Sequence, residues 1–442
     1  MRTPRGLLEC GLLPFPRDDG APNVLERPMT PSEKYFALVD ATWPMNVIIL
    51  ADLDVCLDAE FVEETWRRYC AERSIPRLVT TDRLTLADTN GRPPEFEALA
   101  LEPDDWDEAM SRESDIRYDD VPMRCRYYVS EATGSSRALI VGHHSIIDGR
   151  TGVDELQHFL RALDGQPVPA LDGVPAPAPG RTHEWERDSR ARIALLRRLR
   201  ERRDEFDAPL PRDWPAASIP RKTRMRRVQL PGDTSEHLIA AARAESAGVL
   251  AAVAAAWLTA TVPGLTDAPT GMLDLTTSVD LRDPAAENLD VAGLNVGVIS
   301  NSFVVDPEQP WELARTIRRR TRESMAEGLG ALFLQLARVA QVTDLEAGAA
   351  TMAEAIAAVP PAFSSTNMGV VDPGTDPSWV RWITGHLAPS PNHLALAAGI
   401  GYRGQLIEYL ATDDSRMTPE ARAGIVDRFQ HNLAAMIEAA SV

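Results

Sequence analysis

The residues best suited to chemistry stand in one short stretch, Ala138-Leu-Ile-Val-Gly142-His143-His144-Ser145-Ile146-Ile147-Asp148-Gly149. A hydrophobic run ends in two adjacent histidines, and after three further residues an Asp-Gly pair opens a helical pattern. A neutral imidazole can take a proton from an alcohol or amine while that group attacks a carbonyl. Adjacent strand residues point to opposite faces, so only one of the pair can serve a given site. The i, i+4 spacing of a helical zinc site is absent, and no metal is expected. The same pattern also fits a strand-end histidine that is merely half-buried and hydrogen-bonded. Asp148 stands where a carboxylate caps a helix, and it can also pair with an arginine from elsewhere. Gly149 lets a backbone approach closely or adopt positive φ.

The elements that must hold this stretch can be read from periodicity. Residues 46–54 form an apolar strand, 124–131 and 137–141 two strands joined at Thr133-Gly134-Ser135, and Asp148 to Leu163 a helix. Asp58 to Arg73 is an amphipathic helix with Phe61, Trp66 and Tyr69 on one side. Thr30-Pro31-Ser32-Glu33 is a helix start, with a short helix to about Trp43. Residues 1–30 read as an irregular lead-in. In the second half the pattern predicts helices over about 234–260, 310–325 and 418–440, and strands over 272–281, 296–305, 363–371 and within 394–411. Helices and strands mix without strict βαβ alternation, which predicts two α+β lobes. No GxGxxG or Walker A loop supports a dinucleotide or nucleotide enzyme.

Between the halves, residues 165–180 hold five prolines and three glycines, a density that implies a linker or crossover. A basic helix follows from Trp185 to Phe206, then a second proline-rich piece and the run Arg221-Lys-Thr-Arg-Met-Arg-Arg227. These arginines suit the phosphates of coenzyme A or an acidic carrier protein, and equally a solvated surface that pairs with the chain's surplus acids.

With 442 residues, 44% hydrophobic and 25% charged, the composition is that of a globular protein of two or three domains. A net charge of −19 argues against a general nucleic-acid binder. The cysteines, Cys10, Cys56, Cys70 and Cys125, form no CxxC pair, which fits a reducing cytosol. No signal peptide is expected from the N-terminal residues. No apolar run reaches 18 residues; Ala247 to Leu258 suits a buried helix. A cytoplasmic location follows. His386 and His393 read as part of a Pro/Gly-rich loop, and His183, His237 and His431 as surface positions.

His143-His144-xxx-Asp148-Gly149 resembles the HHxxxDG signature of the condensation-domain superfamily, related to chloramphenicol acetyltransferase. That superfamily includes nonribosomal peptide condensation domains and polyketide-associated acyltransferases. Val279-Asp280-Leu281-Arg282, Asn295-Val-Gly297 with Asn301-Ser302-Phe303, and Phe363-Ser364-Ser365-Thr366-Asn367-Met368-Gly369 are similar to looser family segments of the second lobe. His183-Glu184-Trp185 resembles the start of the crossover helix between lobes. The resemblance runs from about Met29 to Ala440. The DFGWG motif of the plant branch is missing. The histidines also stand where the heterocyclization branch has aspartates, so neither branch is expected.

The resemblance implies a V-shaped pseudo-dimer with an active-site tunnel between its lobes: 1–180 with the histidines, 181–227 as a basic crossover, 228–442 as the second lobe. It implies His144 as general base, His143 as mainly structural, Asp148 in an ion pair with Arg282, and Gly149 keeping the tunnel floor open. Ser365, Thr366 and Asn367 would help hold the oxyanion. The implied activity is acyl transfer from a thioester of coenzyme A or of carrier-protein phosphopantetheine to a small-molecule alcohol or amine in secondary metabolism. The thioester is a co-substrate, and no other cofactor, nucleic acid or integral membrane partner is implied. A free-standing enzyme is expected. A non-catalytic binding platform for a carrier protein or partner enzyme, or an epimerization-type domain, are the alternatives.

Overall fold

A computed structural model describes residues 26–89, 95–117, 123–175, 183–204, 221–230, 232–282, 293–335, 342–357 and 361–440. Residues 1–25 of the expected lead-in, Pro177 and Pro179 of the linker, and the proline-rich piece over 207–220 lie outside the described residues.

The first half runs β1 (Glu26–Pro28), α1 (Pro31–Asp40), β2 (Asn46–Leu53), α2 (Ala59–Glu72), β3 (Leu78–Thr80), β4 (Thr85–Asp88), β5 (Glu95–Ala100), α3 (Trp106–Asp115), β6 (Arg124–Ser130), β7 (Ser135–His143) and α4 (Gly149–Leu163). The crossover is α5 (Glu184–Arg187) and α6 (Ser189–Asp204). The remainder runs β8 (Thr223–Gln229), α7 (Gly232–Ala244), α8 (Val249–Thr261), β9 (Gly271–Asp280), β10 (Val296–Val305), α9 (Pro310–Ala326), α10 (Leu329–Gln335), α11 (Leu345–Ala357), β11 (Ala362–Val371), β12 (Val380–Leu387), β13 (His393–Tyr402), β14 (Gln405–Asp413) and α12 (Pro419–Ala439).

Among the described residues these strands form two main sheets. The first is ordered β12-β2-β7-β6-β5, the second β10-β9-β11-β13-β14-β8. Sheet membership does not follow the halves of the sequence. β12 comes late in the chain, yet it pairs antiparallel with β2, Gly385 facing Ile49 and His386 facing Ile48. Its approach is anchored on α4: Asp376 accepts from Gln157 Nε2 at 2.6 Å, pairs with Arg161 at 3.0 Å, and accepts from Tyr402 Oη at 3.1 Å.

The core follows strand alternation. On β13, Leu396, Ala398, Ile400 and Tyr402 join a core shared with the first lobe, while Ala395 and Ala397 face the second lobe's own core with α7, α8 and α12. The segment over 394–411 is a hairpin, β13 and β14, turned by Arg403 and Gly404 at φ 48 and 78°.

Several local expectations need correction. The single helix over 234–260 is two, α7 and α8, meeting at 100°. Ser246 takes φ 53° and Gly248 caps α8, so the Ala-rich periodicity runs unbroken through a real corner. No single described helix is long and apolar enough to cross a membrane, and α8 is buried. His386, buried on β12, and His393, half-buried at the start of β13, are strand residues rather than loop residues. Burial pushes both imidazoles down to about 3. The basic run over 221–227 is largely β8, with Arg221 held by Asp115 at 3.0 Å and Arg224 by Asp414 at 3.0 Å.

Glu408 on β14 is buried, and burial pushes its carboxyl up to about 8. A raised folded-state value means that its favourable contribution is complete below the ordinary 4.5 and is lost as pH rises through about 8. Glu408→Gln is therefore expected to raise the melting temperature most at about pH 8, with the gain shrinking towards about pH 5. Thermal melts at both pH values check this; a variant that melts lower at both would remove Glu408 as the cause.

Candidate active site

β7 carries the apolar run into the site and ends at His143, in register with Asn46 of β2. The His144 N–H then donates to the Met45 carbonyl at 3.0 Å. A tight turn follows, with Ile146 and Ile147 N–H donating to the His143 carbonyl at 2.9 and 3.3 Å. Asp148 closes it as the N-cap of α4, its Oδ1 accepting from Thr151 N–H at 2.8 Å.

The two rings point apart and meet different partners. His143 Nδ1 accepts from Ser145 N–H at 3.1 Å and lies 2.7 Å from Ser145 Oγ, while its Nε2 lies 3.0 Å from Asp40 Oδ2. Asp40 ends α1, and its Oδ1 accepts from Met45 N–H at 2.5 Å. Burial pushes the Asp40 carboxyl up, but His143 and the Met45 N–H outweigh it and hold the group below the usual range. Both nitrogens of His143 are thus engaged in holding the turn.

His144 is 7% exposed, with its ring tilted on Phe36 of α1 at a centroid distance of 3.9 Å. Its Nδ1 lies 3.0 Å from the Ile147 carbonyl oxygen. A carbonyl only accepts, so Nδ1 carries the proton and Nε2 keeps its lone pair. Burial pushes this imidazole down to about 4; the Ile147 carbonyl and the Asp148 charge oppose that shift without cancelling it. The ring is neutral at neutral pH.

The second lobe grips the turn through Asp148. Arg282, just past β9, lies 3.1 Å from Asp148 Oδ2, and Asn295 N–H donates to that same oxygen at 2.8 Å. Arg282 also donates to Thr151 Oγ1 at 3.0 Å and pairs with Asp280 at 3.0 Å. Thr151 Oγ1 donates to the Gly293 carbonyl at 2.7 Å. Asp148 and Arg282 are both buried. Gly149 is the first residue of α4, where a Cβ would lie 2.6 Å from Met368 Sδ.

The structure therefore gathers His143, His144, Asp148, Gly149 and Arg282. It separates the three β11 residues. Thr366 pairs with Ala398, on the face towards the first lobe, whereas Ser365 pairs with Ala397, on the face towards the second lobe's helices. Asn367 commits its Oδ1 to Gly369 N–H at 2.7 Å. Ser364, which pairs with Leu396, shares the face of Thr366, and strand alternation from Thr366 was the signal that could have found it. Asp40, Ser145, Phe36 and Met368 carry no comparable local signal. Among the described residues no three His, Cys, Asp or Glu side chains are placed to hold a metal ion.

Known proteins sharpen this picture. Residues 220–398 match the family model described as phthiocerol/phthiodiolone dimycocerosyl transferase C-terminus. Solved structures match nearly the whole chain. The first condensation domain of the CDA synthetase is 16% identical, with TM-score 0.63 over 93% of this chain and 96% of its own. Polyketide synthase associated protein 5 from Mycobacterium tuberculosis is 18% identical, with TM-score 0.60 over 92% and 98%. The epimerization domain from the third module of tyrocidine synthetase B is 14% identical, with TM-score 0.60 over 96% and 99%. No curated protein matches the chain in sequence. The two lobes are thus of the chloramphenicol-acetyltransferase-like α+β type. The chain has the fold of the condensation-domain superfamily.

Removing one member of a buried ion pair leaves the other charge unpaired, at a cost of about 3–5 kcal/mol. Arg282→Met is expected to lose stability on that scale. Asp148→Asn in the same chain is expected to recover part of it, since Asn can still cap α4. Denaturant unfolding of the two single variants and the double variant measures the coupling; strict additivity would show that the pair does not act as a unit.

Proposed function

We propose that the chain is an acyltransferase that moves an acyl group from a thioester to an alcohol or amine, with His144 as general base. The donor is a thioester of coenzyme A or of carrier-protein phosphopantetheine. Nε2 of His144 takes the proton from the acceptor O–H or N–H as the oxygen or nitrogen attacks the thioester carbonyl. The tetrahedral intermediate then collapses, the carbon–sulfur bond breaks, and the imidazolium returns its proton to the thiolate. The products are an ester or amide and a free thiol. No enzyme nucleophile is needed, and the rate gain comes from holding donor and acceptor together away from water.

The observation that carries this reading is the bond between His144 Nδ1 and the Ile147 carbonyl at 3.0 Å. It fixes the tautomer and leaves Nε2 as the acceptor. Burial lowers the basicity of the ring, and the Ile147 carbonyl offsets part of that once the ring is charged. Thr366 and Ser364 are the hydroxyls on the correct face to meet an oxyanion. The family model over residues 220–398 supports an acyltransferase, and the likeness to condensation domains supports a carrier protein as partner.

His144→Ala is expected to lower acyl transfer by about 10²–10⁴-fold, measured as free-thiol release from acyl-CoA and acyl-pantetheine donors with alcohol and amine acceptors. An unchanged rate would remove His144 as the general base, and no thiol release from any donor in the wild type would favour a binding platform. A second check is pH. With His144 titrating at about 4, kcat/KM should show no loss from this group near neutrality and should fall on acidification through about 4. A fall near 6.5 would place the essential base elsewhere.

A further inference from the structure

Helix α1 meets both histidines of the turn. Phe36 lies on the ring of His144, and Asp40, one helical turn later, lies 3.0 Å from His143 Nε2. Residues four apart share one face of a helix, so a single face of α1 touches the two rings. The helix is fixed at both ends. At its start Thr30 and Glu33 form a capping box, and Glu33 also pairs with Arg27 at 2.7 Å. At its end Asp40 accepts from the Met45 N–H at 2.5 Å. On the side of the second lobe, Lys34 Nζ donates to the Val342 carbonyl at 3.0 Å. There α11 packs so closely that a Cβ on Gly348 would lie 2.5 Å from Leu38. Phe36 therefore cannot leave His144 without moving a helix that both lobes hold.

The contact is face to face. Ring centroids 3.9 Å apart, with planes 30° from parallel, leave no room for an edge-on arrangement. Phe36 thus covers the face of the imidazole, whereas both ring nitrogens look outward in its plane. Nδ1 is tied to the Ile147 carbonyl at 3.0 Å. That bond alone leaves the ring able to swing about it; the stacked phenyl stops the swing without occupying the Nε2 edge. A phenyl face is the negative part of the ring's quadrupole, so it attracts a charged imidazolium more than a neutral imidazole. The attraction is strongest where water is excluded, and Phe36 is buried. The Asp148 charge acts in the same direction, and a charge on His143 would act against it. We propose that Phe36 is the positioning residue of His144: it fixes the plane of the imidazole and stabilises the positive charge that the ring gains as Nε2 takes the acceptor's proton. This rests on the acyltransferase reading.

The test keeps the shape of the ring and changes its electrostatics. Phe36 is replaced in the full chain by mono-, di- and pentafluorophenylalanine, which progressively weaken and then invert the quadrupole, and separately by leucine, Phe36→Leu. Thiol release is followed with acyl-CoA and acyl-pantetheine donors. The titration of the His144 ring is followed by nitrogen NMR of histidine-labelled protein without substrate. In the fluorinated series kcat should fall stepwise, by about 2- to 30-fold at the pentafluoro end, with KM unchanged. The His144 midpoint should fall in the same order, by about 0.4–1.5 pH units. An equal kcat in the unmodified and pentafluoro proteins, with a loss only in Phe36→Leu, would reduce Phe36 to packing and overturn the proposal while leaving the acyltransferase standing. An unchanged midpoint across the series would overturn it as well. A midpoint that falls stepwise in proteins that turn over no donor would keep the effect of Phe36 on the ring and overturn the acyltransferase. Melting temperatures identify a variant that has lost its fold, and the monofluoro protein, nearly identical in shape to wild type, carries the test if the pentafluoro protein is lost.

Discussion

One carboxylate, that of Asp148, is shared between the lobes, and the site is assembled around it. It caps the helix that follows the histidine turn, and from the second lobe it receives the Arg282 guanidinium and the Asn295 N–H. A buried charge is tolerated only when it is fully paired, so these donors must all be in place together. The turn therefore has its final shape only when the lobes are docked. Thr151 tightens the same joint through the Gly293 carbonyl and Arg282.

The histidines divide the work by direction. A strand end points neighbouring side chains to opposite faces, so His143 turns to Asp40 and Ser145 while His144 turns to Phe36 and the α4 side. His143 stiffens the turn from below. His144 is left with one nitrogen tied to a carbonyl and one with a lone pair to offer. Rigid support on one face and a polarised ring on the other is the arrangement a general base needs.

The legible parts of the sequence were the local ones. The apolar strands at β2 and β7, the cap at Asp148 and the helix after it are set by periodicity and by neighbours a few residues away. The histidine motif was legible for the same reason, because its geometry lies within seven residues. Arg282 came from family resemblance rather than from spacing, since nothing along the chain links it to Asp148. Asp40, Asn295 and Met368 act through contacts between distant segments, which one sequence does not display. β12 was missed because Thr384, Gly385 and His386 interrupt its apolar pattern and its partner lies in the other half. The corner between α7 and α8 was missed because alanine keeps helical character on both sides of Ser246.

Strand β12 also has a bearing on how the chain is made. On the ribosome the first-lobe strands emerge early, but β2 has an open edge until residues 380–387 arrive to pair with it. An uncovered apolar edge invites pairing with other chains. The nascent first half must therefore wait, partly assembled, for nearly the whole polypeptide, and its completion is a late, long-range closure of the slow kind. A ribosome that stalls between the lobes would release a fragment whose sheet lacks its border.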